Sequence, residues 1–441
     1  MPHSVRDAGG RAARRLRADR TAGAPFQTAS ALYLHRSGRR QVARQQARTV
    51  EYVSGQRAGM ENDVEANGQL VVDMHVHVGL VGDGTPRLGA MSLRMQRHPA
   101  FAIFLAFAGL RREELSDRTL REATERALAS CPGVDRVVCL ALDPVYAATG
   151  ERNEEASHLW VDNAYVLALR DALPGRVLFG ASVHPYDPAF ARRVRECVED
   201  GAVLLKWLPS AQGIDLAHPK VETALKVLAT ARPGGRPLPL LLHCGAEYAI
   251  LPTEPRWRSA DFLSFSRLER LANAVRPWGK LRRPDVPGIR RTLESGLAAG
   301  AAVIFAHCGL PYFATGPLGS VVEHSDFATI RDLVRGNPGG AGVAGCCFVD
   351  VSACCTPFRR RFFPEIAALP AQYVLYGSDF PTPVFELSGG VEAGQRRLRA
   401  ALEGGIERLL VPEGNPVELA LREMKAQFPG HPMFTNFNRL R

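Results

Sequence analysis

A closed α/β barrel of eight strand–helix units is the architecture this sequence predicts. Three observations predict it. Eight short apolar, β-rich runs follow Gly68, the segments between them carry helical spacing, and residues able to do chemistry gather at the C-terminal ends of the runs.

The runs are LVVDMHVH (70–77), VDRVVCLAL (134–142), VLFGASVH (177–184), AVLLKWLP (202–209), LPLLLHCG (238–245), AAVIFAHCG (301–309), CFVDVSA (347–353) and YVLYGSDFP (373–381). A strand with one wet face alternates apolar and polar residues. Near-continuous apolar runs suit parallel strands covered on both faces. Between them, Phe190, Val194, Cys197 and Val198 share one helical face, as do Ile289, Leu293 and Leu297. Asp117 is placed to cap the helix that begins near Arg118, and Pro188 suits a helix start. Eight such alternations favour a closed barrel over an open sheet, and no internal repeat is visible. The connections 78–117 and 246–287 are long, as loops that shape an active site often are.

Length permits this fold. The chain has 441 residues, 46% of them hydrophobic, against the roughly 250 that such a barrel needs. The longest apolar run, Phe101–Leu110, is half of the roughly 20 residues a membrane span requires. Neither a membrane partner nor a secretory signal is expected, and the cytoplasm is the expected location. The net charge of +10 is not spread over the chain. Residues 1–59 hold twelve Arg, no Lys and only Asp7, Asp19 and Glu51, a net +9 that leaves +1 for the rest. Residues 1–60 therefore read as a disordered Arg-rich leader, and 69–441 as the barrel. The leader is compatible with an early start codon ahead of Met60, with a transit peptide, or with a nucleic-acid-binding arm; without aromatic interleaving or a folded module, nucleic acid is not expected as a partner. The nine cysteines, among them the adjacent pairs Cys346–Cys347 and Cys354–Cys355, show no zinc-finger spacing and read as small buried thiols.

The chemistry-bearing residues lie at matching places. His75 and His77 end the first run, His184 the third, Lys206 lies late in the fourth, His243 ends the fifth, His307 the sixth and Asp379 the eighth. A barrel puts all these ends on one rim. His75 and His77, two apart on a strand, project to the same side. Joined by His243 and the Asp379 carboxylate, they make an N3O shell suited to one divalent ion, zinc foremost, with manganese or iron as alternatives.

HVH, HCG, AHCG and GSDFP, in that order after strands one, five, six and eight, resemble the amidohydrolase superfamily and most of all its amidohydrolase-related branch. That branch holds metal-dependent TIM-barrel hydrolases and decarboxylases. The resemblance covers roughly residues 70–440, the closing FTNFNRLR included. It implies His75, His77, His243 and Asp379 as metal ligands and His307 as the catalytic histidine, polarising substrate or hydrogen-bonding the activated water. Asp379 is then also the base that takes the water's proton. In binuclear members a strand-four lysine is carboxylated and bridges two metals, which is one reading of Lys206. An unmodified lysine beside a single metal is the reading preferred here. Glu247, in HCGAE, either reaches the site or begins a loop. His184, Trp207 and Arg112 are weak candidates for a substrate pocket, with Phe101, Phe104, Phe107, Arg256 and Arg258 as further lining. His98, His158, His218 and His324 read as ordinary histidines.

The expected function is metal-dependent hydrolysis of a C–N or C–O bond in a small molecule. Decarboxylation of an aromatic or enoic acid is the alternative, and a non-catalytic ligand-binding barrel the second. A homodimer is compatible with the sequence.

Overall fold

The computed structural model describes residues 69–244, 250–253, 286–310, 326–338, 342–356, 359–384 and 414–441. The leader over 1–60 lies outside these, as do Glu247, Arg256, Arg258 and His324.

All eight predicted runs become strands of one sheet. They are β1 (Val72–His77), β2 (Arg136–Leu140), β3 (Val177–Ala181), β4 (Leu204–Trp207), β5 (Leu240–Leu242), β6 (Val303–Phe305), β7 (Cys347–Asp350) and β8 (Val374–Leu375). Each pairs in parallel with the next in chain order. The last returns to the first. Met74 N donates to Tyr376 O at 3.0 Å, His77 N to Phe380 O at 2.8 Å, and Asp379 N to His75 O at 2.8 Å. The sheet therefore closes and has no free edge, which is how a parallel sheet satisfies every backbone group.

Among the described residues at least one helix follows each strand: α1 (Asp117–Ala129), α2 (Asn163–Ala172), α3 (Phe190–Glu199), α4 (Pro219–Ala229), α5 (Val286–Ala298), α6 (Phe327–Arg335), α7 (Phe363–Ala367) and α8 (Pro416–Gln427). Their inner faces follow the sequence spacing. Phe190, Val194 and Cys197 of α3 are buried, and so are Ile289 and Leu293 of α5. One cap differs from expectation. Ser116 caps α1, its side chain accepting from Thr119 N, while Asp117 accepts from the amides of Val81, Gly82 and Gly84. The carboxylate therefore pins the loop that leaves β1 instead of capping the helix, and a serine already sits one residue upstream to do that.

The long connection after β1 carries structure of its own. Gly89–Met91 pairs antiparallel with Leu159–Val161, and helices span Leu93–Gln96 and Pro99–Phe107. Phe101 and Phe107 are buried there in two separate apolar clusters.

The C-terminal segment seals the far end. Asn438 Nδ2 donates to Leu70 O at 2.8 Å, just ahead of β1. Asn436 Nδ2 donates to Ala371 O at 2.7 Å, just ahead of β8. Arg232, ahead of β5, donates to Leu440 O. These contacts all lie at the N-terminal ends of strands, so the opposite rim is left for a site. All nine cysteines are buried and free, and no helix among the described residues is long and apolar enough to cross a membrane.

Candidate metal centre

Three strand ends bring four polar side chains to one point. His75 Nε2 lies 3.1 Å from His77 Nε2, 3.2 Å from Lys206 Nζ and 3.3 Å from Asp379 Oδ1. Asp379 Oδ1 is in turn 3.2 Å from His77 Nε2. His75 and Lys206 are fully buried, Asp379 nearly so, and His77 faces the outside more than the others. The ligand atoms of His75, His77 and Asp379 all fall within 4.8 Å of one another.

Donor accounting shows what this point can hold. His75 Nδ1 is 2.9 Å from Asp350 Oδ2, and an ionised carboxylate only accepts, so the ring proton is on Nδ1 and Nε2 presents a lone pair. That lone pair lies 3.2 Å from the Lys206 ammonium and also faces the Nε2 of a second imidazole and a carboxylate oxygen, Asp379 Oδ1, that is buried without a hydrogen bond. Lys206 supplies a proton to the His75 lone pair, but the buried Asp379 oxygen is left without one, and a buried acceptor of that kind fits a cation. Two imidazole nitrogens and a carboxylate oxygen form the donor set that zinc, manganese and ferrous iron share.

The rim is strained where it carries chemistry. Among the described residues, the non-glycine positions with positive φ are His307 (56°), Cys308 (54°), Ala353 (50°) and Asp379 (62°). They follow β6, β7 and β8. Each costs on the order of 1–3 kcal/mol, which the surrounding barrel must over-determine. The Asp379 turn is held at its other oxygen, Oδ2 accepting from Thr382 Oγ1 at 2.8 Å.

Burial sets the charge states. It pushes the His307 imidazole down to about 3, against the opposing pull of Asp379 and Asp350. His75 is lowered by burial and then by the Lys206 ammonium, and His243 lies well below its ordinary value by burial and then His307. Burial works the other way on Asp379, yet His307, His75 and His77 hold its carboxyl well below the usual range. Neutral imidazoles beside an ionised carboxylate are the states that metal ligands require.

His243 and His307 stand next to this group. The His307 ring stacks on His75 at 5.1 Å between centroids and meets His243 edge-on at 5.1 Å. His243 is in neither cluster of mutually close ligand atoms, the second being His75, His307 and Asp350. Of the four ligands expected, three converge and the fourth is one ring away.

The weak pocket candidates fare differently. Trp207 follows Lys206 directly, so it faces the other side of β4. It is fully buried, its ring 6.3 Å from Phe190 of α3, and Nε1 donates to Val183 O at 2.8 Å. It packs strand against helix and is no pocket wall. Both ring nitrogens of His184 are engaged by backbone, by Gln212 O at 3.0 Å and Tyr186 N at 3.1 Å, so neither is left for a ligand. Arg112 is exposed on a short 3-10 helix. Among the ordinary histidines, His158 pairs with Ser92 Oγ at 2.8 Å, and His218 caps α4.

Sequence reasoning missed four residues: Asp73, Asp350, Ser352 and Gly377. Asp73 Oδ1 accepts from His75 N and from Ser378 N at 2.8 Å, tying β1 to the turn that carries Asp379. Its carboxyl is pushed up to about 7 by burial, against hydrogen bonds from Ser378. Asp350 and Ser352 close β7 behind His75, and Gly377 leaves room for it. The signal was present. A carboxylate inside an apolar run such as CFVDVSA is costly without partners, and D-x-S places both side chains on one face, as H-x-H does.

No protein-family model matches the chain, and no curated protein matches it. Solved structures similar to it include a probable 2-pyrone-4,6-dicarboxylic acid hydrolase from Acinetobacter baumannii, at 14% identity over 79% of this chain and 98% of that one, TM-score 0.37. A 5-carboxyvanillate decarboxylase from Sphingomonas paucimobilis is similar at 14% over 82% and 99%, TM-score 0.39. A 5-carboxyvanillate decarboxylase from Novosphingobium aromaticivorans, complexed with manganese and 4-hydroxy-3-methoxy-5-nitrobenzoic acid, is similar at 14% over 80% and 96%, TM-score 0.38.

Proposed function

We propose that this chain is a metal-dependent hydrolase acting on a C–N or C–O bond of a small organic substrate. One observation carries the reading: His75 Nε2, His77 Nε2 and Asp379 Oδ1 converge within 4.8 Å at the C-terminal rim of a closed barrel. Those three hold one divalent ion, zinc first among zinc, manganese and iron, with His243, beyond the His307 ring, as the further imidazole that the motifs imply. A cation bound there supplies a Lewis acid that brings a water's pKa from about 16 towards about 7.

The chain's own groups do the rest. Asp379 takes a proton from the attacking water and delivers it to the leaving group. Its Oδ2 is already positioned by the Thr382 hydroxyl, so the carboxylate does not swing. His307, buried and neutral, lies beside the ligands and is the group we assign to the reacting oxygen. Lys206 is read as an unmodified ammonium that biases the field at His75. Nine buried free thiols suit a reducing cytoplasm.

Metal analysis of the purified protein tests the centre. The expected content is near one ion per chain, lost when His75→Ala and His77→Ala are combined. Full occupancy in that double variant sinks the assignment. The buried Lys206 ammonium supports a second reading, decarboxylation, because it is suited to pair with a substrate carboxylate. Isotopes separate the two: in H2¹⁸O a hydrolase labels the product acid, whereas in D2O a decarboxylase leaves a C–D bond and releases CO2.

A further inference from the structure

We propose that Asp350 and Ser352, at the end of β7, are positioning residues that lock His75 and His307 in one and the same tautomer, with the proton on Nδ1 and the lone pair on Nε2. The inference rests on the proposed metal centre for its consequences, but its geometry stands without a metal.

The hydrogen-bond inventory leaves one consistent assignment. Asp350 is fully buried, and its Oδ1 accepts from His307 N at 3.1 Å and Ser352 N at 2.9 Å as well as from the Ser352 hydroxyl. Its Oδ2 takes the His75 Nδ1 proton at 2.9 Å. With its own proton given to Asp350, Ser352 Oγ can only accept, and His307 Nδ1 lies 2.8 Å away. The Ser352 carbonyl oxygen is 3.1 Å from the same Nδ1, and a carbonyl can only accept. The His307 proton is therefore on Nδ1 too. One carboxylate and one hydroxyl on a single strand end settle two imidazoles from two other strands.

Each tautomer has a chemical consequence. For His75, Nε2 is the nitrogen that faces His77 and Asp379, so the ring offers a lone pair where a cation would sit. For His307, Nε2 is a proton acceptor in the resting protein. It does not donate to an oxyanion until it has first taken a proton, and the charge it then gains is balanced by Asp350 through Ser352. Of the two roles that the resemblance implies for His307, this tautomer suits hydrogen-bonding the activated water, with Nε2 as the acceptor. Gly377 completes the arrangement, since a Cβ there would meet His75 Cβ at 2.7 Å and Ser352 Cβ at 3.2 Å.

The test is ¹⁵N NMR of the full-length protein with ¹⁵N-labelled histidine, before and after metal removal. His75→Gln and His307→Gln serve only to assign resonances. Both rings are expected to show protonated Nδ1 and unprotonated Nε2 in the metal-free protein. An Nε2-protonated form of either ring overturns the proposal, whatever the metal content. Cobalt titration of the apoprotein gives the second readout. Asp350→Ala should weaken cobalt binding by about 10–100-fold and mix the His75 tautomers, and Asp350→Asn, which keeps an acceptor, should restore part of both. Asp143→Asn, which loosens a partly buried pair with Arg193 elsewhere in the barrel, should lower the melting temperature and leave cobalt affinity unchanged. If Asp350→Ala behaves like Asp143→Asn, Asp350 is merely structural and the proposal fails. A wild type with the expected tautomers that binds no cobalt removes the metal reading and leaves the tautomer lock standing.

Discussion

Gly377 lies directly behind His75: a Cβ built on the glycine would stand 2.7 Å from the His75 Cβ and 3.4 Å from its backbone nitrogen. Neither neighbour is the far end of a flexible side chain, so a methyl there must move β1 or the turn that carries Asp379. Gly377→Ala is therefore expected to cost about 1–3 kcal/mol in stability, the usual price of overpacking. Metal affinity should fall at least about tenfold, because a site out of place by a fraction of an ångström no longer converges. Denaturant melts and cobalt titration of the same preparation check both. Unchanged affinity in a folded Gly377→Ala protein refutes the contact's importance.

Lys206 separates one metal from two. As an ammonium 3.2 Å from His75 Nε2, it repels a bound cation, so Lys206→Met should leave one ion per chain and keep or raise its affinity. As a carbamate bridging two ions, it would be a ligand, and the same change would empty the site. Metal content and affinity of Lys206→Met, with and without added bicarbonate, decide. Bicarbonate-dependent loading of the wild type, lost in the variant, contradicts the single-metal reading.

The barrel was legible because its physics is repetitive. Each buried parallel strand must be apolar on both faces, and each strand's C-terminal end reaches the same rim. His75, His77 and Asp379 could be picked out since six of the eight runs carried their polar residues at equivalent positions. Asp350 stayed hidden inside CFVDVSA, where its neighbours read as a strand and its partners, His75 and His307, lie 275 and 43 residues away. Trp207 reads as a possible pocket residue from its aromatic side chain alone, although it directly follows Lys206 and strand alternation puts neighbours on opposite faces. Ser116 and Asp117 show the same limit at short range: both residue types cap helices, and only the tertiary position of the β1 loop decides which one does.

The leader is expected to be dispensable for the barrel. Residues 1–59 hold a net +9 and no apolar periodicity, so they lack the means to offset their own ordering entropy. A chain starting at Met60 should keep its metal content and activity and melt within a few degrees of the full-length protein. Limited proteolysis should remove the leader first. A larger fall in melting temperature, or loss of metal on truncation, rejects this division of the chain.

His184 makes the sharpest prediction for pH. Burial is the main reason its imidazole is pushed down to about 4, with the Gln212 carbonyl opposing. Its ring also stacks on Tyr146 at 5.0 Å. In the unfolded chain the group has its ordinary value of 6.5, so between the two values the unfolded state binds the extra proton. A base with a lowered folded pKa contributes its full stability above about pH 6.5, loses it as the pH falls towards 4, and changes nothing further below that. Between pH 7 and pH 5 the loss from this one residue is about 2 kcal/mol. His184→Gln removes the titration along with some native hydrogen bonding. It should be less stable than the wild type at pH 7 but show a pH dependence shallower by about 2 kcal/mol over the same range. The metal-site histidines titrate alike in both proteins and cancel in the difference. Denaturant unfolding of the two metal-free proteins at pH 5, 6 and 7 provides the measurement. Parallel stability–pH curves would show that His184 is not held neutral by burial and would undo the assignment of its ring to the barrel interior.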